Sequence, residues 1–254
     1  VTTGHGPYTP GWYSSVMVRG ERVIAISQMI HEYILRNYPW VDPAIIRDIP
    51  RGVDPAAYPH GYQPPAAWLA AWHAQYPQLI GKYVITLPAR LTRWKGQKDF
   101  IVAIDALKRA GLPVHGLLVG EAHPRKREFE HELRDDIRAR GLDQDITFAG
   151  HRGDLKEIMA VSDIVLSLST DPEAFGRVSL EALTLGKPVA AYSHGGVAEQ
   201  LVAIFPEGCV PVGNVQELTD RLRHWYVSRP AIPAGHPFTL ERMLASTLNV
   251  YREL

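Results

Sequence analysis

Short apolar runs alternate with longer amphipathic stretches over most of this chain, and this limits the folds open to it more than any other feature. Beyond residue 80 the apolar runs lie at 82–89, 114–120, 145–150, 163–169, 188–193 and 209–213. They show little alternation with polar residues, as is typical of strands buried on both faces of a sheet. The stretches between them predict helices over 96–110, 123–140, 153–161, 176–186, 196–204 and 214–228. This order predicts right-handed βαβ units and therefore an α/β fold with a Rossmann-like, doubly wound parallel sheet.

The first 65 residues follow a different pattern. "RVIAIS" (22–27) predicts another buried strand, and a helix is predicted over 28–37. The stretch 45–65 is rich in Pro and Gly without helical spacing, so we interpret it as a linker. The chain begins with Val1 in a sequence resembling the middle of a domain, which indicates a fragment or a processed chain.

These patterns divide the chain into four parts. We predict part of one domain at 1–49, a linker at 50–63, a complete α/β domain at 64–236 and a terminal helix at 237–254 that packs back on the N-terminal part. Thr239 is the predicted N-cap of that helix.

Charge and cysteine content exclude several classes of protein. Lys plus Arg and Asp plus Glu both total 27, whereas proteins that bind nucleic acid in bulk are usually basic. Cys209 is the single cysteine of the 254 residues, which excludes an internal disulfide framework and fits a reducing compartment. No apolar run approaches the roughly 20 residues needed to span a bilayer. We therefore predict a cytoplasmic location, which includes the inner face of the cytoplasmic membrane, and no nucleic-acid partner.

Polar residues that follow the predicted strands are the candidates for chemistry, because ligands bind beyond the carboxyl ends of a doubly wound sheet. Arg90 and Lys95 follow the strand at 82–89, where two cations either neutralise a diphosphate or remain solvated surface charges. Gly176 follows the strand at 163–169 at a predicted helix start, where free N–H groups bind anions.

Two glutamates flank that glycine. Glu173 and Glu181 are eight positions apart. Glu181 lies about 7 Å further along the predicted helix, which is roughly the distance from a diphosphate to a ribose. A loop glutamate followed by an unrelated helix glutamate is the alternative interpretation. His194-Gly195-Gly196 forms a second glycine-rich turn after a strand and is either a third ligand segment or a plain tight turn.

Several common site patterns are absent from the sequence. There is no G-x-G-x-x-G, no P-loop, no H-E-x-x-H and no G-x-S-x-G. This disfavours dinucleotide enzymes, P-loop nucleotide hydrolases, zinc enzymes and α/β-hydrolases. We predict no metal site and no cofactor.

Four segments taken together resemble a known family. "VIAIS…IPRGVD", "RLTRWKGQ", "EAFGRVSLEAL" and "HGGVAEQ", in this order, resemble the retaining GT-B glycosyltransferases of the group-1 type, family GT4. The resemblance implies that 64–236 is the C-terminal, nucleotide-sugar (donor) domain of a GT-B fold. It also implies that 1–49 is the end of the N-terminal acceptor domain.

The resemblance also assigns residues to roles. Arg90 and Lys95 match the pair that holds the donor diphosphate. Glu173 and His5 match residues that face the donor sugar, and Glu181 matches the acid that binds ribose. The phosphate-binding backbone corresponds to Ala174, Phe175, Gly176 and Arg177, and the base-contacting positions correspond to His151, Arg152 and Leu155. Two positions depart from the family, which usually has Gly at Ala89 and often Asn at Arg51.

The function implied by the resemblance is metal-independent transfer of a sugar from a nucleotide-diphosphate donor to a hydroxyl, with retention at the anomeric carbon. The acceptor implied is a glycan or glycolipid, and the motifs look most like those of lipopolysaccharide-core or related cell-envelope transferases. Peripheral membrane contact through an N-terminal domain is expected. The alternatives are a non-catalytic nucleotide-sugar-binding module and a GT-B-fold sugar-nucleotide epimerase.

Overall fold

The computed structural model describes residues 1–125 and 127–254, which form two parallel sheets with flanking helices. The strands are β1 Thr2–Gly4, β2 Val23–Ala25, β3 Ile46–Asp48, β4 Tyr83–Pro88, β5 Val114–Val119, β6 Ile146–Gly150, β7 Ile164–Ser167, β8 Val189–Tyr192 and β9 Cys209–Val210. The helices are α1 Gln28–Asn37, α2 Ala66–Gln75, α3 Gln97–Arg109, α4 Glu128–Ala139, α5 Leu155–Val161, α6 Arg177–Thr184, α7 Gly195–Ile204, α8 Val215–Val227 and α9 Leu240–Arg252.

The larger sheet has the strand order β6-β5-β4-β7-β8-β9, with every neighbouring pair parallel. The chain starts at β4 in the middle, builds outward to β6, and then returns to place β7 on the other side of β4. The strand order therefore reverses between β4 and β7. This topological switch point is where the carboxyl ends of such sheets leave a crevice. The predicted fold class is confirmed, and each predicted strand beyond residue 80 is present.

The smaller sheet has the order β1-β2-β3, also parallel. Its third strand, Ile46–Asp48, lies within the stretch 45–65 that we interpreted as a linker, so that interpretation is wrong for these residues. The strand is short and only Ile46 is buried, while Asp48 is exposed, so it has no apolar run to mark it. The predicted limits of the two domains stay a prediction.

Two helices differ from the prediction. Helix α4 begins at Glu128, later than the predicted start at 123, because Pro124 lies in a turn; position 126 of the predicted helix lies outside the described residues. Helix α2 was not predicted. Its apolar residues are not confined to one face, so they do not show helical spacing. Pro65 at its N-cap supplies no side-chain hydrogen bond, so no capping residue indicates where the helix begins.

The chain passes from one sheet to the other at two places, near Val53 and near Thr239. The backbones of these two crossings are hydrogen-bonded to each other. The Val53 N–H donates to the Phe238 carbonyl at 3.1 Å, and the Leu240 N–H donates to the Val53 carbonyl at 2.9 Å. Gly52 lies so close that a Cβ there would come within 2.2 Å of the Thr239 carbonyl oxygen. The two crossings therefore form a short parallel pair.

Helix α9 lies against the smaller sheet after the second crossing. Its predicted N-cap is confirmed, since the Thr239 hydroxyl accepts from the Arg242 N–H. Val250 clusters with Ile24 and Ile49, and Glu253 pairs with two arginines of the smaller sheet region, Arg22 at 2.8 Å and Arg47 at 2.6 Å. Among the described helices, none combines the length and the apolar character needed to cross a bilayer.

Glu199, on a helix beside the larger sheet, caps a helix that follows a strand of the smaller sheet. The Glu199 carboxylate on α7 accepts from the Gln28 and Met29 N–H groups, both at 2.9 Å, at the first turn of α1. The Ser27 hydroxyl accepts from the next residue, Ile30, at 3.2 Å. Glu199 therefore supplies negative charge at the positive end of the α1 dipole and joins the two sheets.

We expect Glu199→Ala to lower the free energy of unfolding by about 1–2 kcal/mol, because two N–H groups lose their charged acceptor. Glu207→Ala is the matched control, since Glu207 is exposed in the 3₁₀ turn Pro206–Gly208 that follows α7, and it is expected to change stability by less than about 0.5 kcal/mol. Urea denaturation of both variants measures the difference. Equal midpoints would show that the cap contributes nothing.

Candidate functional site

A cavity of about 420 Å³ lies where the carboxyl ends of the two sheets face each other. Strands β4 and β7 of the larger sheet end at its floor, and the segments that follow β1, β2 and β3 form the opposite wall. The loops that follow parallel strands all lie at the carboxyl edge of the sheet, so residues distant in sequence come close together there. The lining residues are His5, Ile26, Arg51, Leu87, Pro88, Ala89, Lys95, Leu166, Ser167, Leu168, Ser169, Glu173, Ala174, Phe175, Gly176, Arg177, Val178 and Ser179.

Lys95 and Glu173 form an ion pair in this cavity. Their Nζ and Oε1 atoms are 2.8 Å apart, and both side chains are largely buried. Lys95 ends a short 3₁₀ turn after β4, while Glu173 lies in the loop after β7, so the switch point brings them together. The Ser169 hydroxyl donates to the same carboxylate, and the Lys95 ammonium also lies 4.0 Å from the ring centroid of Trp94. The cavity thus holds an ammonium and a carboxylate of fixed position.

The N-terminus of α6 opens onto the same space. Gly176 is its N-cap with φ +84°, and no side chain among the described residues caps it. The first N–H groups of the helix are therefore free to bind an anion. Ser179, in the first turn, is only 1% exposed, and its hydroxyl has no hydrogen-bond partner in the described part of the chain. A buried hydroxyl without a partner at a helix start fits an anionic ligand.

The two glycines that begin α7 support the loop that carries Glu173. The Gly196 N–H donates to the Glu173 carbonyl at 2.8 Å, and the Gln200 amide donates to the Phe175 and Gly176 carbonyls. A Cβ at Gly196 would come within 2.5 Å of the Phe175 Cα. His194-Gly195-Gly196 does not line the cavity. It brings α7 against the loop that carries Glu173.

Glu181 is buried on α6, 3.1 Å from the Arg177 guanidinium, and it does not line the cavity. Burial raises the pKa of its carboxyl, and Arg177 and the Tyr58 hydroxyl oppose that rise. The structure therefore places Glu181 behind Arg177, whose side chain is 75% exposed.

The positions predicted to contact a base are also outside the cavity lining. Arg152 is held by Asp154 at 2.7 Å and lies over the ring of Trp72. His151 is exposed beside it, and Leu155 packs against the apolar cluster under α2. Arg90 is likewise exposed, two residues past the end of β4 and next to the cavity residue Ala89.

His5 and Arg51 meet on the opposite wall. An Arg51 Nη2–H donates to Nδ1 of His5. Burial, and then the nearby positive charge of Arg51, lower the pKa of the His5 imidazole.

Four polar side chains of the lining were missed as site residues, namely Arg51, Ser167, Ser169 and Ser179. Arg51 follows β3, a strand that was not predicted, so nothing in the sequence indicated that Arg51 lies at a sheet edge. Nothing in the sequence marks the buried hydroxyls of Ser169 and Ser179, because serine is common in loops and first turns.

In the described residues, no group of three or more His, Cys, Asp or Glu side chains is placed to hold a metal ion. The positive charge at the cavity comes from Lys95, Arg51 and Arg177 and from the α6 N-terminus.

A sequence profile of the family described as Glycosyl transferases group 1 matches residues 71–231. The chain belongs to this family. The predicted membership of the group-1 GT-B glycosyltransferases is confirmed, and the matched residues hold all six strands of the larger sheet together with Lys95, Glu173 and α6.

Two relatives show how much of such proteins this chain spans. It is 29% identical over 181 residues to a 2-deoxystreptamine N-acetyl-D-glucosaminyltransferase of Streptomyces fradiae, covering 66% of this chain and 40% of the relative. It is 27% identical over 190 residues to the lipopolysaccharide core biosynthesis mannosyltransferase LpcC of Rhizobium leguminosarum, covering 69% of this chain and 52% of the relative. The chain thus spans about half the length of these two relatives.

Two solved structures agree with this chain in fold. A glycosyltransferase from Rickettsia africae superposes with a TM-score of 0.85 at 26% identity, covering 99% of this chain and 69% of that protein. Anabaena HepE, solved in complex with UDP and glucose, superposes with a TM-score of 0.76 at 25% identity, covering 99% of this chain and 66% of HepE.

Proposed function

We propose that this group 1 family chain binds a nucleoside-diphosphate sugar in the cavity and that the protein transfers the sugar to a hydroxyl acceptor. The observation that carries the proposal is the meeting of Lys95, Glu173 and the uncapped α6 N-terminus in one cavity at the switch point. An ammonium, free N–H groups and an unpartnered hydroxyl suit a diphosphate, and a fixed carboxylate suits sugar hydroxyls. The complex of HepE with UDP and glucose supports the same ligand class.

The residue roles follow from this ligand. Lys95, Arg90 and the backbone of residues 174–177 hold the diphosphate, while Glu173 and His5 orient the donor sugar. Glu181 accepts from the ribose. In this structure the Arg177 guanidinium pairs with one oxygen of that carboxylate, Oε1, at 3.1 Å.

The base lies toward His151, Arg152 and Leu155. The ion pair between Arg152 and Asp154 fixes the shape of that surface.

The reaction breaks the bond between the anomeric carbon and the diphosphate oxygen and forms a bond from that carbon to the acceptor oxygen. The acceptor proton passes to the leaving diphosphate on the same face, so the configuration at the anomeric carbon is retained. Lys95 and the α6 N–H groups stabilise the charge that develops on the leaving group, and Glu173 holds the sugar. We propose that these groups perform this step without a metal ion. Activity that survives EDTA would support that proposal, and loss of activity would contradict it.

We further propose that the acceptor is a glycan or glycolipid of the cell envelope, with the protein acting in the cytoplasm at the membrane face. The similarity to the R. leguminosarum LpcC protein, which is named for lipopolysaccharide core biosynthesis, supports this acceptor class.

Calorimetry with UDP, GDP and ADP, run beside a transfer assay with a glycolipid acceptor, tests the proposal. We expect one diphosphate to bind well above the others and the matching nucleotide sugar to be consumed. If no nucleoside diphosphate binds, the proposal fails. Binding without transfer would instead favour a nucleotide-sugar-binding module.

A further inference from the structure

Arg51 brings a guanidinium from the smaller sheet into the cavity, and its partner there is His5. The two residues follow β3 and β1, whose carboxyl ends lie at the same edge, and an Arg51 Nη2–H donates to Nδ1 of His5. Both side chains line the cavity together with Lys95, Glu173 and Arg177.

This contact determines the protonation of the imidazole ring. A guanidinium has only donors, so the nitrogen it contacts must be an acceptor. Nδ1 of His5 therefore carries no proton. In the neutral ring the single proton is on Nε2.

The charges around His5 keep the ring neutral. Burial and the Arg51 charge both lower the pKa of the imidazole, since a second cation beside the guanidinium is unfavourable. The other ionisable groups of the cavity do not reverse this. Lys95 and Glu173 are paired with each other at 2.8 Å, and Arg177, paired with Glu181, adds positive charge.

We propose that Arg51 is a positioning residue that holds His5 as the neutral Nε2–H tautomer, so that His5 enters the cavity as a hydrogen-bond donor to a sugar oxygen. That this oxygen belongs to a donor sugar rests on the proposed function, whereas the assignment of the tautomer does not. Since Nδ1 is occupied and Nε2 already carries a proton, His5 does not act as the base that takes the acceptor proton.

Nitrogen-detected NMR of the imidazole rings tests the proposal on the whole chain without ligand. Comparison with His5→Gln identifies the His5 signal among the 11 histidines. In the wild type we expect the Nε2-protonated pattern near pH 7 and a His5 pKa below the ordinary value. In Arg51→Met, which has neither charge nor donor, we expect a higher His5 pKa than in the wild type and a populated Nδ1-protonated form. Arg51→Lys, which keeps a charge and only donors, should restore the wild-type pattern.

Several outcomes would overturn the proposal. The first is an Nδ1-protonated ring in the wild type, and the second is a His5 titration in Arg51→Met that equals that of the wild type. The third is an Arg51→Lys variant that does not restore the wild-type pattern. Circular dichroism has to show that all variants are folded. Addition of UDP-glucose then separates the two claims. If the free-protein result holds and the sugar nucleotide leaves the His5 signal unmoved, the ligand assignment fails while the tautomer stands.

Discussion

Lys95→Ala is expected to lower the turnover of sugar transfer by about 100-fold or more. Loss of one preorganised group that stabilises developing negative charge typically costs about 2.7–4 kcal/mol. Lys95 also holds Glu173 at 2.8 Å, so the variant removes a charge and frees the carboxylate that orients the sugar. Steady-state kinetics measure turnover, and calorimetry with the nucleoside diphosphate measures the loss of binding.

Lys98→Ala is the matched control for this variant. Lys98 lies three positions further along the chain, on α3. Its side chain is 58% exposed, and its contact with Glu132 is 3.6 Å long. We expect its turnover to stay within about twofold of the wild type, as for most exposed pairs. Arg90→Ala should resemble Lys95→Ala. If both Lys95→Ala and Arg90→Ala stayed within a few fold of the wild type, the diphosphate assignment would be wrong.

Gly96→Ala is expected to lower the free energy of unfolding by more than about 3 kcal/mol. Gly96 has φ +73°, a conformation that costs other residues about 1–3 kcal/mol. A Cβ there would also lie 2.1 Å from the Leu168 carbonyl oxygen, and that contact is relieved only by moving the backbone after β4 or β7. Overpacking of this kind adds about 1–3 kcal/mol.

Gly213→Ala separates the two contributions. Gly213 has φ +74°, but a Cβ there meets no described atom within 4 Å. The control therefore carries the conformational cost alone. Guanidinium denaturation of both variants gives the difference, which we expect to be at least about 1 kcal/mol. Equal destabilisation would show that the loops after β4 and β7 tolerate separation. Gly96→Ala should also weaken nucleotide binding, because Lys95 precedes it and Leu168 lies in the cavity wall.

The larger sheet was predictable because its strands are buried on both faces. Ile85, Leu117 and Leu166 are at most 1% exposed, and continuous apolar runs mark such strands directly. Strand β3 escaped prediction for the opposite reason, since Asp48 is exposed and the strand is stabilised by pairing with β2. Helix α2 could not be predicted from its own sequence either, because its packing depends on contacts among Trp68, Trp72 and residues far away in sequence.

The candidate site was predictable where a residue directly follows a strong strand. Lys95, Glu173 and Gly176 follow β4 and β7, and the structure gathers them in the cavity. The roles of residues whose surroundings depend on packing were not visible. Glu181 is buried behind Arg177, and the turn at Gly196 supports the loop of Glu173 instead of facing the cavity.

The two chain crossings near Val53 and Thr239 have a mechanical consequence. Because the two crossings are hydrogen-bonded to each other, a movement of one sheet relative to the other has to carry both crossings with it or break these two hydrogen bonds. A movement that separates the two sheets at the cavity would carry the His5–Arg51 pair away from the Lys95–Glu173 pair, and each pair would keep its own contact. It would also pull α1 from Glu199. The two sheets are thus joined at two separate places, the paired crossings and the two hydrogen bonds that Glu199 accepts from α1.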